Sequence, residues 1–247
     1  MKFEMINRKI DDSNPIEFGT IFSKSFELFK KVWVQGFIIL LLTMVCILPF
    51  YILAYLPLIA AGITDPEMLQ HEELSLPIII GLIVSIPIVM IAVMTISLGF
   101  MAAFLRICKI KDFNENSGDD YFFYFKNGRL RKLVILASIY LGLTVLGMLT
   151  CGIGLIYLMV PLSLIPALLA FNDELTPMEI VKASFQLGNK NWLVIFGLLL
   201  VMGFLAELGI ILCFVGLFFT AMLSKVPVYY VYKDGIGFSA EEGLESA

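Results

Sequence analysis

LPIIIGLIVSIPIVMIAVMTISLGFMAAFL, residues 76–105, runs for thirty positions without a charged side chain. A helix needs about 20 predominantly apolar residues to cross a hydrocarbon core roughly 30 Å thick. The stretch therefore reads as a membrane span. Upstream, residues 32–61 form a second such run. Downstream, residues 133–149 and 153–171 form two more, separated by a tight turn at Cys151-Gly152. From Trp192 to Tyr232 only Glu207 and Lys225 interrupt the apolar character. That length is too great for one crossing, and it divides at Glu207-Leu208-Gly209 into spans at 192–207 and 209–231. The expectation is an all-α, polytopic membrane protein: one integral domain, 1–247, with six transmembrane helices.

Composition agrees. The chain has 247 residues, 60% hydrophobic and 15% charged, with mean hydropathy +0.93. A water-soluble globule could not cover so much apolar side chain. A net charge of −4 gives no general attraction for nucleic acid. The four cysteines, at 46, 108, 151 and 213, contain no CxxC and read as unpaired thiols. The first 31 residues carry five acids and no apolar core, so they do not read as a signal peptide.

Pro49, Pro57, Pro87, Pro161, Pro166 and Pro227 fall within the spans. Each removes a backbone donor, which neighbouring helices can compensate. They read either as packing bends or as broken helices around a transport site. Six spans put all 17 Lys and Arg on one side. The segment 62–75 has none and carries Asp65, Glu67, Glu72 and Glu73. By the positive-inside rule both termini face the cytosol.

Two amphipathic segments precede spans. Asn14-Pro15-Ile16-Glu17 has the order of a cap, a first-turn proline and a capping-box acid, and predicts an interfacial helix over 14–31. Thr176-Pro177-Met178-Glu179 repeats that order and predicts a second over 177–187, ending at Gly188. Ile21, Ser25, Phe26, Leu28, Lys31 and Trp33 match Ile180, Ser184, Phe185, Leu187, Lys190 and Trp192 at a constant offset of 159. The expected unit is a pseudo-repeat of interfacial helix, tryptophan anchor and outgoing span. Its membrane-interface anchors are Phe22, Phe26, Lys30, Lys31 and Trp33 in one copy, and Phe185, Lys190 and Trp192 in the other.

A block running through Val160-Pro161-Leu162-Ser163-Leu164-Ile165-Pro166-Ala167, Asn172-Asp173-Glu174 and Glu179–Leu187 with Trp192, together with Ser25–Lys31, resembles the membrane domain fused to some bacterial glycerophosphodiester phosphodiesterases and its stand-alone relatives. In that family an Ala-x-x-x-Ser-aromatic helix precedes a span; here alanine stands at 183, directly before Ser184. The resemblance implies a bacterial inner-membrane location. It does not imply phosphodiesterase chemistry, which belongs to a separate soluble barrel.

Catalytic signatures are missing. His71 is the single histidine and lies in the acidic 62–75 segment, so no metal site is expected. Gly-rich phosphate loops, HExxH and GxSxG patterns do not occur. Glu207 and Lys225 are candidate intramembrane polar residues. Glu207 also suits a turn cap, and Lys225 can snorkel to the interface. Tyr121–Phe125, beside Arg129-Leu130-Arg131-Lys132, reads as an aromatic belt joined to a polybasic stretch, with partner docking as the alternative. The functional expectation is a non-enzymatic scaffold or accessory factor without a cofactor, engaging membrane lipids or a protein partner at the cytoplasmic face. The competing reading is a transporter or exporter of a small solute, lipid or peptide. A polar chamber at mid-membrane would favour it, and the polar side chains available there are Ser85, Thr95, Ser97, Ser138, Thr144 and Ser163. Oligomeric state is not legible.

Overall fold

The computed structural model describes residues 3–60, 62, 75–126, 128–211 and 215–238. His71, the acids at 65–73 and Cys213 lie outside them. All regular elements among the described residues are helical: α1 (Phe3–Asp12), α2 (Phe18–Ala60), α3 (Leu76–Asp112), a 3-10 turn (Phe123–Phe125), α4 (Leu130–Leu149), α5 (Ile153–Phe171), α6 (Pro177–Lys190), α7 (Trp192–Glu207), 3-10 (Leu208–Ile211), α8 (Val215–Thr220), 3-10 (Ala221–Lys225) and α9 (Val226–Gly235).

Four helices, α2 to α5, are long and apolar enough to cross a membrane, and a fifth span results if α6 and α7 count as one broken element. The C-terminal half of α2 and the N-terminal half of α3 expose Leu48, Ile52, Val84 and Ile88, with Val45 at 68% and Ile83 at 66%. An apolar band of this extent fits a membrane-embedded protein. At 1.5 Å per residue, the 43 residues of α2 and 37 of α3 extend about 65 and 55 Å, so both overhang the hydrocarbon. The embedded prolines leave α2, α3 and α5 continuous.

Where the sequence predicts six crossings, the last apolar run takes another form. α7 has only 16 residues, about 24 Å. After Glu207 the chain folds back: the Thr220 hydroxyl donates to the Ala206 carbonyl at 2.6 Å, and a Cβ on Gly209 would meet the Gly216 carbonyl carbon at 2.7 Å. Residues 208–211 and 215–225 thus form a compact return rather than a straight helix. The predicted break at Glu207 coincides with the end of α7.

The two amphipathic segments also differ from expectation. Asn14–Glu17 is not helical; the helix starts at Phe18, with the Glu17 carbonyl accepting from Ile21 N, and continues through residue 31 into the span. The first segment is therefore the overhang of α2 rather than a separate helix. At Thr176 the predicted capping box is present. The Thr176 backbone N–H donates to Glu179 Oε2 at 2.8 Å, and Thr176 Oγ1 accepts from Glu179 N at 3.4 Å. α6 runs on past Gly188 to Lys190 and meets α7 at 92°. It does not lie crosswise beneath the bundle. It packs antiparallel along α5: a Cβ on Gly188 would sit 3.2 Å from Pro161, and Tyr157 donates to Asn189 at 2.7 Å. The matched positions nevertheless share burial. Ile21 and Ile180, Ser25 and Ser184, and Leu28 and Leu187 are all buried, and Lys31 and Lys190 are exposed. The two stretches present the same face to the core and then follow different paths.

Candidate functional site

Which helix ends share one side of the molecule follows from contacts. α2 and α3 are antiparallel: Gly81 abuts Pro57, and Gly36 abuts Phe104. α9 runs back beside α2, since Met222 faces Gly36 at 2.9 Å and Lys24 lies 5.9 Å from the Tyr230 ring. Asp112, the last residue of α3, accepts from Tyr229 at 2.7 Å, from Tyr230 at 3.1 Å and from Lys233. Phe171, at the end of α5, packs on Tyr232 with ring centroids 4.8 Å apart. The starts of α2 and α4 and the ends of α3, α5 and α9 therefore converge.

Cations predominate in two cavities at the converging end. A cavity of about 350 Å³ is lined by Arg106, Lys109, Glu115, Ser117, Phe171 and Asp173. A second, of about 230 Å³, is lined by Tyr124, Arg129, Lys132, Leu169 and Asp173. Four cations thus face two carboxylates, with Asp173 common to both cavities. The Arg106 and Arg129 guanidiniums lie 3.6 and 4.1 Å from the Phe123 ring centroid, both within cation–π range. Arg129 pairs with Asp173 at 3.4 Å. Lys132 donates to the Asn172 and Asp173 carbonyls at 3.3 and 3.0 Å, the expected use of a cation at a helix C-terminus. Arg106 makes no ion pair among the described residues, so its charge is balanced only by the ring and by Glu115 and Asp173 across the cavity. Tyr124 forms the floor: its hydroxyl reaches the Leu169 and Ala170 carbonyls, and burial pushes its pKa well above the ordinary tyrosine value.

The Tyr121–Phe125 cluster read as an aromatic belt is therefore largely an internal clamp. Tyr124 is buried, and Phe125 packs on Phe100 at 4.9 Å, while Phe122 stays exposed. The motif carrying the family resemblance is likewise used for packing. Asn172 is buried and bonds the Leu168 carbonyl and the Tyr232 hydroxyl, each at 3.0 Å.

The predicted anchors take varied positions. Lys30 and Lys31 are exposed, and Trp33 is 42% exposed. Phe22 and Phe26 are half-buried and pack on Met202, Ala206 and Leu223. Phe185 approaches Tyr157 with ring centroids 6.3 Å apart. Trp192 stacks on Phe196 and donates to the Tyr157 carbonyl at 3.0 Å. Lys190, though exposed, is tied to the N-terminal arm. Its ammonium donates to the carbonyls of Ile10, Asp11 at 2.8 Å and Ser13 at 2.7 Å, closing the C-terminus of α1. α1 itself went unread, although Phe3, Ile6 and Ile10 recur at helical spacing and the latter two are fully buried. Lys190→Met is expected to loosen α1 by about 1–2 kcal/mol. Limited proteolysis would then cut the N-terminal arm severalfold faster; an unchanged cutting rate would show that the apolar face of α1 holds it without the cap.

Glu207 ends α7, exposed, and has no hydrogen-bond partner among the described residues. Lys225 ends the 3-10 turn before α9, exposed, and likewise has none. Thr95, Ser97, Ser138, Thr144 and Ser163 each donate to a carbonyl of their own helix at 2.7–2.9 Å. Ser85 Oγ has no partner. Those five hydroxyls are thus satisfied within their own helices, although Ser97 and Ser163 line one largely apolar cavity. Among the described residues no three His, Cys, Asp or Glu side chains come together as a metal site.

The fold defines an all-helical protein with four or five membrane-capable helices and a basic cleft at one end. No protein-family model, curated protein or solved structure matches the chain.

Proposed function

We propose that the chain is a non-enzymatic accessory or scaffold protein of the bacterial cytoplasmic membrane, whose basic cleft engages an anionic group, on a membrane lipid or a protein partner, at the cytosolic face. The observation that carries this reading is the convergence of helix ends bearing Arg106, Lys109, Arg129, Lys132 and Lys233 on one side. Positive-inside orientation puts that side in the cytosol with both termini. α2 to α5 then make four crossings, and α7 to α9 enter from the cytosolic side and return to it. This arrangement keeps the orientation expected from six spans while replacing the last two with a re-entrant pair. The kinship with the membrane domain of glycerophosphodiester phosphodiesterases is part of the same proposal and rests on the Pro161–Trp192 block.

The test combines topology and capture. Reporter fusions at the C-terminus and at Gly118 are both expected to read as cytosolic; an extracytoplasmic signal from either overturns the reading. Purification in mild detergent, followed by mass spectrometry of co-purifying lipids and proteins, is expected to recover a bound species that an Arg106→Gln/Lys109→Gln variant loses by at least about fivefold. Equal recovery from both proteins would remove the cleft from the function.

A further inference from the structure

A third cavity, of about 290 Å³, lies away from the cleft, between α3, α4, α5, α7 and the segment joining α8 to α9. Its walls are apolar, with Leu98, Met101, Leu162 and Leu199 among them. Met94, Met101, Tyr140 and Ser163 are only half-buried, so the groove opens on the helix surface. One cation, Lys225, stands at its edge, exposed and without a hydrogen-bond or ion-pair partner among the described residues. Among the described residues no acidic side chain lines the groove, and the Ser97 and Ser163 hydroxyls there are already bonded to the Val93 and Val160 carbonyls.

The depth of Lys225 follows from its neighbours. It lies between Met222, which faces Gly36, and Tyr229, which binds Asp112. On α2 the corresponding interval holds Lys30, Lys31 and Trp33, the charged and aromatic border of the apolar span. From that border the groove follows α3 from Leu105 back to Met94, deeper into the apolar zone. A cation at the interface with an apolar trough leading inward has the charge and polarity order of a phospholipid: anionic phosphate first, acyl chain behind it. A lysine facing lipid without a counter-charge is costly, and a lipid phosphate relieves that cost.

We infer that this groove is a binding site for one anionic phospholipid of the leaflet bordering the basic end, with its phosphate on Lys225 and one acyl chain along Leu98 and Met101. The site is separate from the basic cleft and does not depend on what the cleft binds; only the choice of leaflet rests on the orientation proposed above.

The experiment is native mass spectrometry of the full chain released from nanodiscs containing equal phosphatidylglycerol and phosphatidylcholine. One retained phosphatidylglycerol is expected, preferred over phosphatidylcholine by about fivefold, the effect of one lysine near a membrane surface. Lys225→Gln is expected to abolish the preference and Lys225→Arg to keep it. Ser163→Leu, which narrows the trough, is expected to reduce retention of both lipids while Lys225 is intact. Lys126→Gln, at an exposed lysine that lines neither the groove nor the cleft, serves as a folded reference and is expected to retain the lipid normally. Equal retention of the two lipids by the unmodified chain would mean that Lys225 merely snorkels, and would overturn the site. So would an unchanged preference in Lys225→Gln, or preferential retention of added palmitate over phosphatidylglycerol. A loss confined to Arg106→Gln would overturn the groove while leaving the cleft reading in place.

Discussion

Replacing Asp112 by alanine is expected to destabilise the protein by about 2–4 kcal/mol, the largest single effect of any charged residue in the fold. The carboxylate ties the end of α3 to α9 through three donors: Tyr229, Tyr230 and Lys233. Asp112 and Lys233 have side chains only 16% and 31% exposed, so water cannot fully take over the lost partner. Removing the acid strands a half-buried ammonium and leaves both tyrosine hydroxyls to find other acceptors. The ammonium also lies 4.6 Å from the Phe113 ring, which lessens the cost without replacing the carboxylate. Thermal unfolding in nanodiscs, followed by intrinsic fluorescence, measures the effect. Asp112→Asn keeps an acceptor for the tyrosines and should lie between the two. Lys233→Met alone should cost less than Asp112→Ala, because the carboxylate left behind keeps two tyrosine donors. A shift below about 0.5 kcal/mol for Asp112→Ala, the size typical of exposed pairs, would mean that α9 is held by its apolar contacts alone.

Gly209→Val is expected to be nearly as damaging, at about 3 kcal/mol, and to reduce the recovery of monodisperse protein severalfold. A Cβ there would meet Thr220 Oγ1 at 2.3 Å and the Gly216 carbonyl carbon at 2.7 Å. The hydroxyl is already bonded to the Ala206 and Gly216 carbonyls, and a backbone carbon cannot swing aside as a side-chain tip can. The substitution would prise open the return between α7 and α9. Gly203, six residues earlier on α7, has nothing within 4 Å of its Cβ position. Gly203→Ala should therefore be neutral or slightly stabilising, by up to about 1 kcal/mol, through helix propensity. Size-exclusion profiles of fluorescent fusions separate the two. Equal recovery of Gly209→Val and Gly203→Ala would contradict the close return.

Much of the fold was legible because apolar run length and backbone satisfaction act locally. Residues 76–105, 133–149 and 153–171 have no way to hydrogen-bond their backbones in lipid except as helices, and each falls within a helix of the structure. The Thr176–Glu179 capping box was equally local, needing only residues three apart. The similar motif at Asn14 was not realised. Ile16 N instead donates to Asn191 Oδ1 at 3.3 Å, and Lys190 holds the chain just before Asn14. A distant partner outweighed the local cap, worth about 1 kcal/mol. The candidate site was only partly visible. Arg106, Arg129 and Asp173 are far apart in the sequence, and only the docking of the 3-10 turn under Leu169 and Ala170 brings them around Phe123.

The sequence by itself determined that this chain is helical, apolar enough for a membrane, and asymmetric in charge, because those properties depend on composition and on neighbours within a turn or two. The tertiary structure decided how the C-terminal apolar run is used, and that α6 lies along α5. It also decided that Lys190 caps a helix and that the basic residues enclose a cleft. Each of these depends on close approach between segments remote in the chain: Gly188 on Pro161, Gly209 on Gly216, Asp112 on Lys233. Such contacts are set by packing at van der Waals distance, and hydropathy carries no record of it.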